Sequence, residues 1–387
     1  MLQHWLLDPD CIYLNHGTVG APPRRVLARQ QALRDEMERQ PARFVLRELN
    51  LEQPAPWRVT SRLRQALEQI APFFGARADD MGFVPNVTTG VNAVIRSVPL
   101  TPGDEVVITD LTYGGVARTA RAITTERGAT LRTVEMPYPL HDEQQIVDAM
   151  TRALTPETKL LVVDHVSAQT ALVLPVAAIV ARCHEHGIPV LVDGAHAPGS
   201  IALNIPSLGA DWYAANLHKW AHAPRSCGIL WARPDRQSML HLPVASWGYG
   251  GGFHHEFDRF STSDPTSFLA APEGIAVLQE WRFDEILAYI HGLAWEAAEM
   301  LTSAWGTTLH APRSMIGAMV TVPLPESAGS TSEDAVNLRL QLLVEDHIEA
   351  PVHSWHGRLW TRVSAQVYND RSDIEHLAAA VKRRTRQ

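Results

Sequence analysis

Ile188-Pro189-Val190-Leu191-Val192, followed at once by Asp193-Gly194-Ala195-His196-Ala197-Pro198-Gly199, is an apolar run of strand length that stops at a carboxylate and a loop of turn formers. A run without polar alternation suits a strand covered on both faces, as in a parallel sheet flanked by helices. Upstream, residues 159–164 predict a second buried strand, and residues 176–186 a helix ended by Gly187. Downstream, residues 211–215 predict a short strand, then come Asn216-Leu217-His218-Lys219-Trp220 and a hairpin or neighbouring strand at 228–232. Nearer the start, a strand at 82–85 leads into Asn86-Val87-Thr88-Thr89-Gly90, whose threonines are placed to cap a helix at 91–98. Pro102-Gly103-Asp104 then turns into a strand at 105–109. Strands alternating with helices predict an α/β fold with a mostly parallel sheet.

The pattern changes after Trp247-Gly248-Tyr249-Gly250-Gly251-Gly252-Phe253, where clustered glycines suit a hinge or binding loop. Helix is expected over 270–305 and 333–343, with strands at 318–322 and 359–364, which reads as a smaller α+β domain. The expected division is a large domain over 15–255 and a small C-terminal one over 256–387, with segment 1–14 packing on the small domain.

Composition narrows the function classes. In 387 residues, 45% are apolar and 20% charged, with 34 Lys and Arg against 42 Asp and Glu and a net charge of −8. That balance argues against broad nucleic-acid or anionic-membrane binding and leaves small-molecule chemistry. Cys11, Cys183 and Cys227 form neither a disulfide framework nor a metal knuckle, so a reducing, cytoplasmic setting is expected. No apolar run approaches the roughly 18 residues of a membrane span. His184 and His186, two apart on a helix, do not share a face, so no metal site is expected.

The informative pair is Asp193, at the carboxyl end of one strand, and Lys219, just after the next. Ligands of open α/β sheets sit outside those strand ends, so both side chains can meet in one crevice. A lysine there can form a Schiff base and a carboxylate can keep a pyridine nitrogen protonated, which are the protein-side needs of pyridoxal 5′-phosphate. Each residue alone also reads as a helix cap or a solvated lysine. Asn86 to Gly90, between a strand and a helix, adds backbone N–H groups and two hydroxyls suited to a phosphate, or equally to ordinary capping.

With Tyr13-Leu14-Asn15-His16-Gly17-Thr18-Val19-Gly20, Asn86 to Ala93, Gly103-Asp104-Glu105, Asp110 to Gly114, Asp193 to Gly199, His218-Lys219 and Arg362-Val363-Ser364 in order, the chain resembles class V aminotransferase-fold enzymes. More narrowly, it is similar to their isopenicillin N epimerase-like branch. The resemblance implies the type I fold of pyridoxal-phosphate transferases, a large mostly parallel domain with a smaller C-terminal one, acting as a homodimer with shared active sites on a small amino-acid substrate. It implies that Lys219 carries the cofactor and Asp193 pairs with the ring nitrogen. Tyr113 would lie over the ring, where desulfurase-like relatives have His, and His196 would contact the phenolic oxygen, where they have Gln. Thr88, Thr89, Asn216 and His218 match phosphate-side positions, and Thr262 matches a threonine given by the second subunit. Arg362 resembles the arginine that holds a substrate carboxylate, with Asn15 at the same end.

There are departures. The branch often reads Gly-Thr-Arg-Asp where this chain has Ser261-Thr262-Ser263-Asp264, which leaves the substrate side chain open. Ala168 replaces a cofactor-contacting Asn, with Ser167 or Thr170 as substitutes. Phe44, Trp247 and Tyr249 are candidate pocket residues or plain packing. Desulfurases of this fold use a mobile cysteine late in the chain, and here no cysteine follows Cys227. Epimerisation is the first expectation, a C–S lyase or an aminotransferase the alternatives, and a non-catalytic pyridoxal-phosphate protein the reading from another class.

Overall fold

The computed structural model describes residues 1–49, 61–259 and 261–385. Its strands are β1 (Ile12–Tyr13), β2 (Met81–Val84), β3 (Glu105–Thr109), β4 (Thr130–Val134), β5 (Thr158–Asp164), β6 (Val190–Asp193), β7 (Trp212–Asn216), β8 (Gly228–Ala232), β9 (Met319–Pro323), β10 (Ile348–Glu349), β11 (Val352–Trp355) and β12 (Arg358–Ser364). Seven of them form one sheet in the order β2-β8-β7-β6-β5-β3-β4. Its strands are parallel except β8, which runs antiparallel to both neighbours. The fold is thus α/β, as the alternation of apolar runs and helices predicts.

Unbroken apolar strands feed two layers. Leu160 and Val162 pack with Val91 and Val94 of the helix Val87–Ser97, while Leu161 and Val163 face the opposite layer with Ile179 and Val180 of the helix Val176–Glu185. These four strand side chains have no exposed surface, and each contributes about 1.5–3 kcal/mol relative to an exposed position. Because the strands are parallel, their carboxyl ends share one edge. That edge gathers Asp164, Asp193 and Asn216, with Asn86 just beyond β2.

A second, antiparallel sheet has the order β11-β12-β9 and packs on the helices Phe283–Trp305 and Ser332–Asp346, with the helix Arg371–Arg384 against the first of them. β1 pairs in parallel with β10, and Asn15 bridges to Ser364 at the end of β12. Among the described residues no helix is long and apolar enough to cross a membrane.

Local differences from the sequence reading have physical causes. β6 starts at Val190, after Pro189, and includes Asp193, whose backbone oxygen accepts from His165 N. The helix after β2 begins at Val87, and its cap is Asn86, whose side chain accepts from Thr89 N at 3.0 Å; the threonines lie inside the first turn. The long helical stretch is broken at Trp281 and Arg282, where Arg282 takes a left-handed φ of 60° between the helices Ala271–Glu280 and Phe283–Trp305.

Candidate functional site

Lys219 follows β7 in a loop whose backbone is held from several sides. Leu217 N and His218 N both donate to Cys227 O at 2.9 and 3.2 Å, and the carbonyl of Lys219 accepts from His16 Nε2 at 3.1 Å. Gly20, with φ +68°, passes so close that a Cβ there would overlap the His218 carbonyl, and Gly199, with φ +86°, abuts the Trp220 carbonyl in the same way. The lysine side chain emerges from this fixed base. Its Nζ lies 3.2 Å from His196 Nε2.

Asp193 and Asp164 end adjacent strands in direct register, and both are buried. Asp193 Oδ1 accepts from Ala195 N at 2.9 Å, whereas Asp193 Oδ2 and Asp164 Oδ2 are buried with no hydrogen-bond partner among the described residues. Burial raises Asp193 to about 6, opposed by the Ala195 N–H and the charge of Lys219. Burial, then the charge of Asp193, pushes Asp164 well above the usual carboxylate range. Neighbouring carboxylates in a dry site do not both ionise, so Asp164 keeps its proton and Asp193 holds the charge. Next to them His165 Nδ1 lies 2.8 Å from the Tyr213 hydroxyl.

Burial pushes His196 well below the imidazole range, with Lys219, Arg362 and His218 adding to the shift. It is therefore neutral, and its Nε2 can accept from Lys219.

Arg362, on β12, brings the smaller sheet to the crevice. Its Nη1 donates to Ala168 O at 2.5 Å and its Nη2 to Thr18 Oγ1 at 2.6 Å and Asn15 Oδ1 at 3.4 Å; Nε is buried without a partner among the described residues. Asn15 Nδ2 donates in turn to Glu349 Oε1 at 2.7 Å. Burial lowers the guanidinium to about 10, with Tyr13 opposing, so it is charged at neutral pH.

The other expected residues are placed as follows. Thr88 and Thr89 lie in the first turn of the helix Val87–Ser97. Asn216 Oδ1 accepts from Val87 N at 2.9 Å, and His218 Nδ1 lies 2.9 Å from Cys227 O, so both side chains already hold protein partners. Tyr113 precedes the helix Gly114–Arg127 and is 52% exposed. Thr262 is exposed and shares with Thr89 and Arg225 the wall of a cavity of about 830 Å³. Ser167 Oγ accepts from Thr170 N, and Thr170 Oγ1 has no partner among the described residues. Phe44 is buried in the core beneath the Arg62 guanidinium, and Trp247 is 91% exposed. Tyr249 lies against His241.

Three residues of this neighbourhood escape sequence reasoning: His16, Thr18 and Asp164. Asp164 carried a signal, since it ends a buried strand just as Asp193 does. Thr18 and His16 lie within the segment Tyr13 to Gly20, yet their partners Arg362, Lys219 and Tyr368 are far along the chain.

Two features fit pyridoxal 5′-phosphate. The unpartnered, buried Oδ2 of Asp193 is an acceptor for a ring N–H, and Lys219 is a shielded amine. Burial, then Arg362, lowers the ammonium to about 7 against the pull of Asp193 and Asp164. Apoprotein is expected to take up the aldehyde with a half-maximal rate near pH 7, read by absorbance during reconstitution; a midpoint near 10 contradicts this. The unfolded lysine keeps its proton to its ordinary value of 10.5. Between those two values the unfolded chain binds more protons, so this group makes the apoprotein more stable as pH rises.

Comparison with known proteins adds the following. The aminotransferase class-V family model matches residues 13–377. A probable chloroplastic L-cysteine desulfhydrase of Arabidopsis thaliana is 30% identical, over 97% of this chain and 83% of its own. An isopenicillin N epimerase of Streptomyces clavuligerus is 32% identical, over 97% and 95%. Among solved structures, a mutant of C-DES with glycine covalently linked to its PLP cofactor superposes with a TM-score of 0.79 at 23% identity, covering 98% of each chain. The apo cysteine desulfurase of Thermococcus onnurineus gives 0.78 at 18%, covering 99% and 97%.

Proposed function

We propose that this chain, which belongs to the class V aminotransferase family, acts at the α-carbon of an amino acid as an epimerase. Membership makes it an enzyme with pyridoxal 5′-phosphate as its cofactor. The observation that carries the reading is Lys219, buried beside Asp193, His196 and Arg362 so that its ammonium gives up its proton around pH 7. Similarity to an isopenicillin N epimerase over 95% of that protein's length supports the choice of reaction.

When bound, the cofactor supplies an aldehyde for an amine and a ring that withdraws electrons from the substrate α-carbon. Lys219 is read as the amine that holds the cofactor and then takes the α-proton, its lowered basicity matching neutral pH. His196 steers the amine through the 3.2 Å contact. Asp193 offers Oδ2 to the ring nitrogen, and Asp164, neutral alongside, leaves the negative charge there. Arg362 receives the substrate carboxylate, with Asn15 and Thr18 fixing the fork. Thr88 and Thr89, in the first turn of the helix Val87–Ser97, would hold the phosphate together with Asn216 and His218, and Tyr113 would supply an aromatic face for the ring. The reading includes a homodimer in which exposed Thr262 reaches the neighbour's site.

A C–S lyase is the second reading. It is favoured by the sequence itself, which has no cysteine after Cys227 to take up sulfur, and by the L-cysteine desulfhydrases among its relatives. Elimination needs no acid on the face away from Lys219, whereas epimerisation does. Incubation of holoprotein with a panel of L-amino acids in heavy water separates the readings. An epimerase gives α-deuterated D-isomer with total amino acid unchanged, and a lyase gives sulfide and a keto acid from cysteine. Absence of α-deuteration together with absence of sulfide and keto acid across the panel sinks both, and favours a binding protein.

A further inference from the structure

We propose that His16 is a positioning residue that couples a carboxylate bound at Arg362 to the seating of Lys219. The proposal rests on the assignment of Arg362 and Lys219 above, and goes beyond it by naming the connection between them.

Five residues, Asn15 to Val19, run between the two sheets. On one side Asn15 bridges to Ser364, and Asn15 and Thr18 both accept from Arg362 Nη2. On the other side His16 Nε2 meets the Lys219 carbonyl at 3.1 Å. The fit is tight: a Cβ on Gly17 would lie 2.5 Å from Met319 Sδ and 3.4 Å from Trp220 Cζ2, so the segment is pressed between β9 and the residue after the lysine. A shift of Arg362 on binding an anion thus reaches Asn15 and Thr18 directly, and His16 in the next step.

His16 is suited to transmit such a shift because its bonds are fixed. Its ring is completely buried and packs on Trp220 with centroids 4.9 Å apart. A carbonyl only accepts, so Nε2 carries the hydrogen. Nδ1 must then accept from the Tyr368 hydroxyl at 2.9 Å, on the chain just after β12. Burial lowers the imidazole to about 4, opposed by the bond to Lys219 O, and burial raises Tyr368 far above its ordinary value. Neither bond changes protonation state around neutral pH. His16 is therefore a strut, and not a proton carrier, with one end on the segment after Arg362 and the other on the lysine backbone.

The test is amide hydrogen exchange of residues 217–223 in holoprotein, with and without propionate, a carboxylate that lacks the amine. In the wild type propionate should slow exchange in this loop by about five-fold, the scale of one hydrogen bond gained. In His16→Leu the slowing should vanish while propionate still protects residues 362–364. His16→Gln, which keeps a donor and an acceptor, should restore at least half of it. Tyr368→Phe removes one hydroxyl and should weaken the effect by about two-fold, a variant that guards against misfolding of His16→Leu. Full slowing in both His16→Leu and Tyr368→Phe overturns the proposal, and so does no slowing in the wild type. Failure to find the cofactor on Lys219 by borohydride trapping, in contrast, overturns the site assignment and leaves the strut to be judged by exchange alone.

Discussion

Lys219→Ala is expected to give a folded protein that yields no pyridoxyl adduct after borohydride reduction, with turnover lower by about 10⁴-fold or more. The fold should survive because the side chain gives up one 3.2 Å contact with His196, and burying the ammonium is itself unfavourable, as its lowered value shows. Circular dichroism checks the fold, and peptide mass spectrometry checks the adduct. The readout is unusually clean, since the chain has three lysines, Lys159, Lys219 and Lys382. Lys159 is partly exposed near Asp104, and Lys382 lies in the last turn of the final helix. An adduct on either, or wild-type labelling in the variant, contradicts the assignment.

Asp193→Asn is expected to keep cofactor on Lys219 and to lose about 10²- to 10³-fold in turnover, the scale of one preorganised electrostatic contact. The amide preserves the Oδ1 bond from Ala195 N but presents N–H or a neutral oxygen where the carboxylate stood. The ring nitrogen then loses its counter-charge, and with it the stabilisation of negative charge at the substrate carbon. Asp164 should respond as well. Without a charged neighbour its carboxyl falls back toward the ordinary range, which infrared titration of the protonated carboxyl can follow. Turnover within three-fold of wild type would show that Asp193 is a structural cap only.

Much of this arrangement is legible in the sequence because its supports are extreme. Strands β5 and β6 are covered on both faces, so they read as plain apolar runs, and a carboxylate at the end of such a run stands out. β4 was not anticipated, since Thr130-Leu131-Arg132-Thr133-Val134 forms an edge with one neighbour and most of its side chains reach solvent. The register that sets Asp164 beside Asp193 follows from how two strands slide together, which composition does not encode. The role of His16 is not legible in the sequence, because its partners lie 203 and 352 residues away. Asn86 rather than Thr88 or Thr89 caps its helix because residue 86 is the last with extended backbone, the geometry a cap requires.

Arg362, proposed to hold the substrate carboxylate, grows from the antiparallel trio of strands, whereas Asp193 belongs to the seven-strand body and Lys219 follows one of its strands. On that proposal, colour and discrimination are stored in different pieces of the molecule. If warming loosens the trio first, a preparation will stay yellow after it has stopped responding to added amino acids, and spectral integrity will overstate the fraction of working molecules.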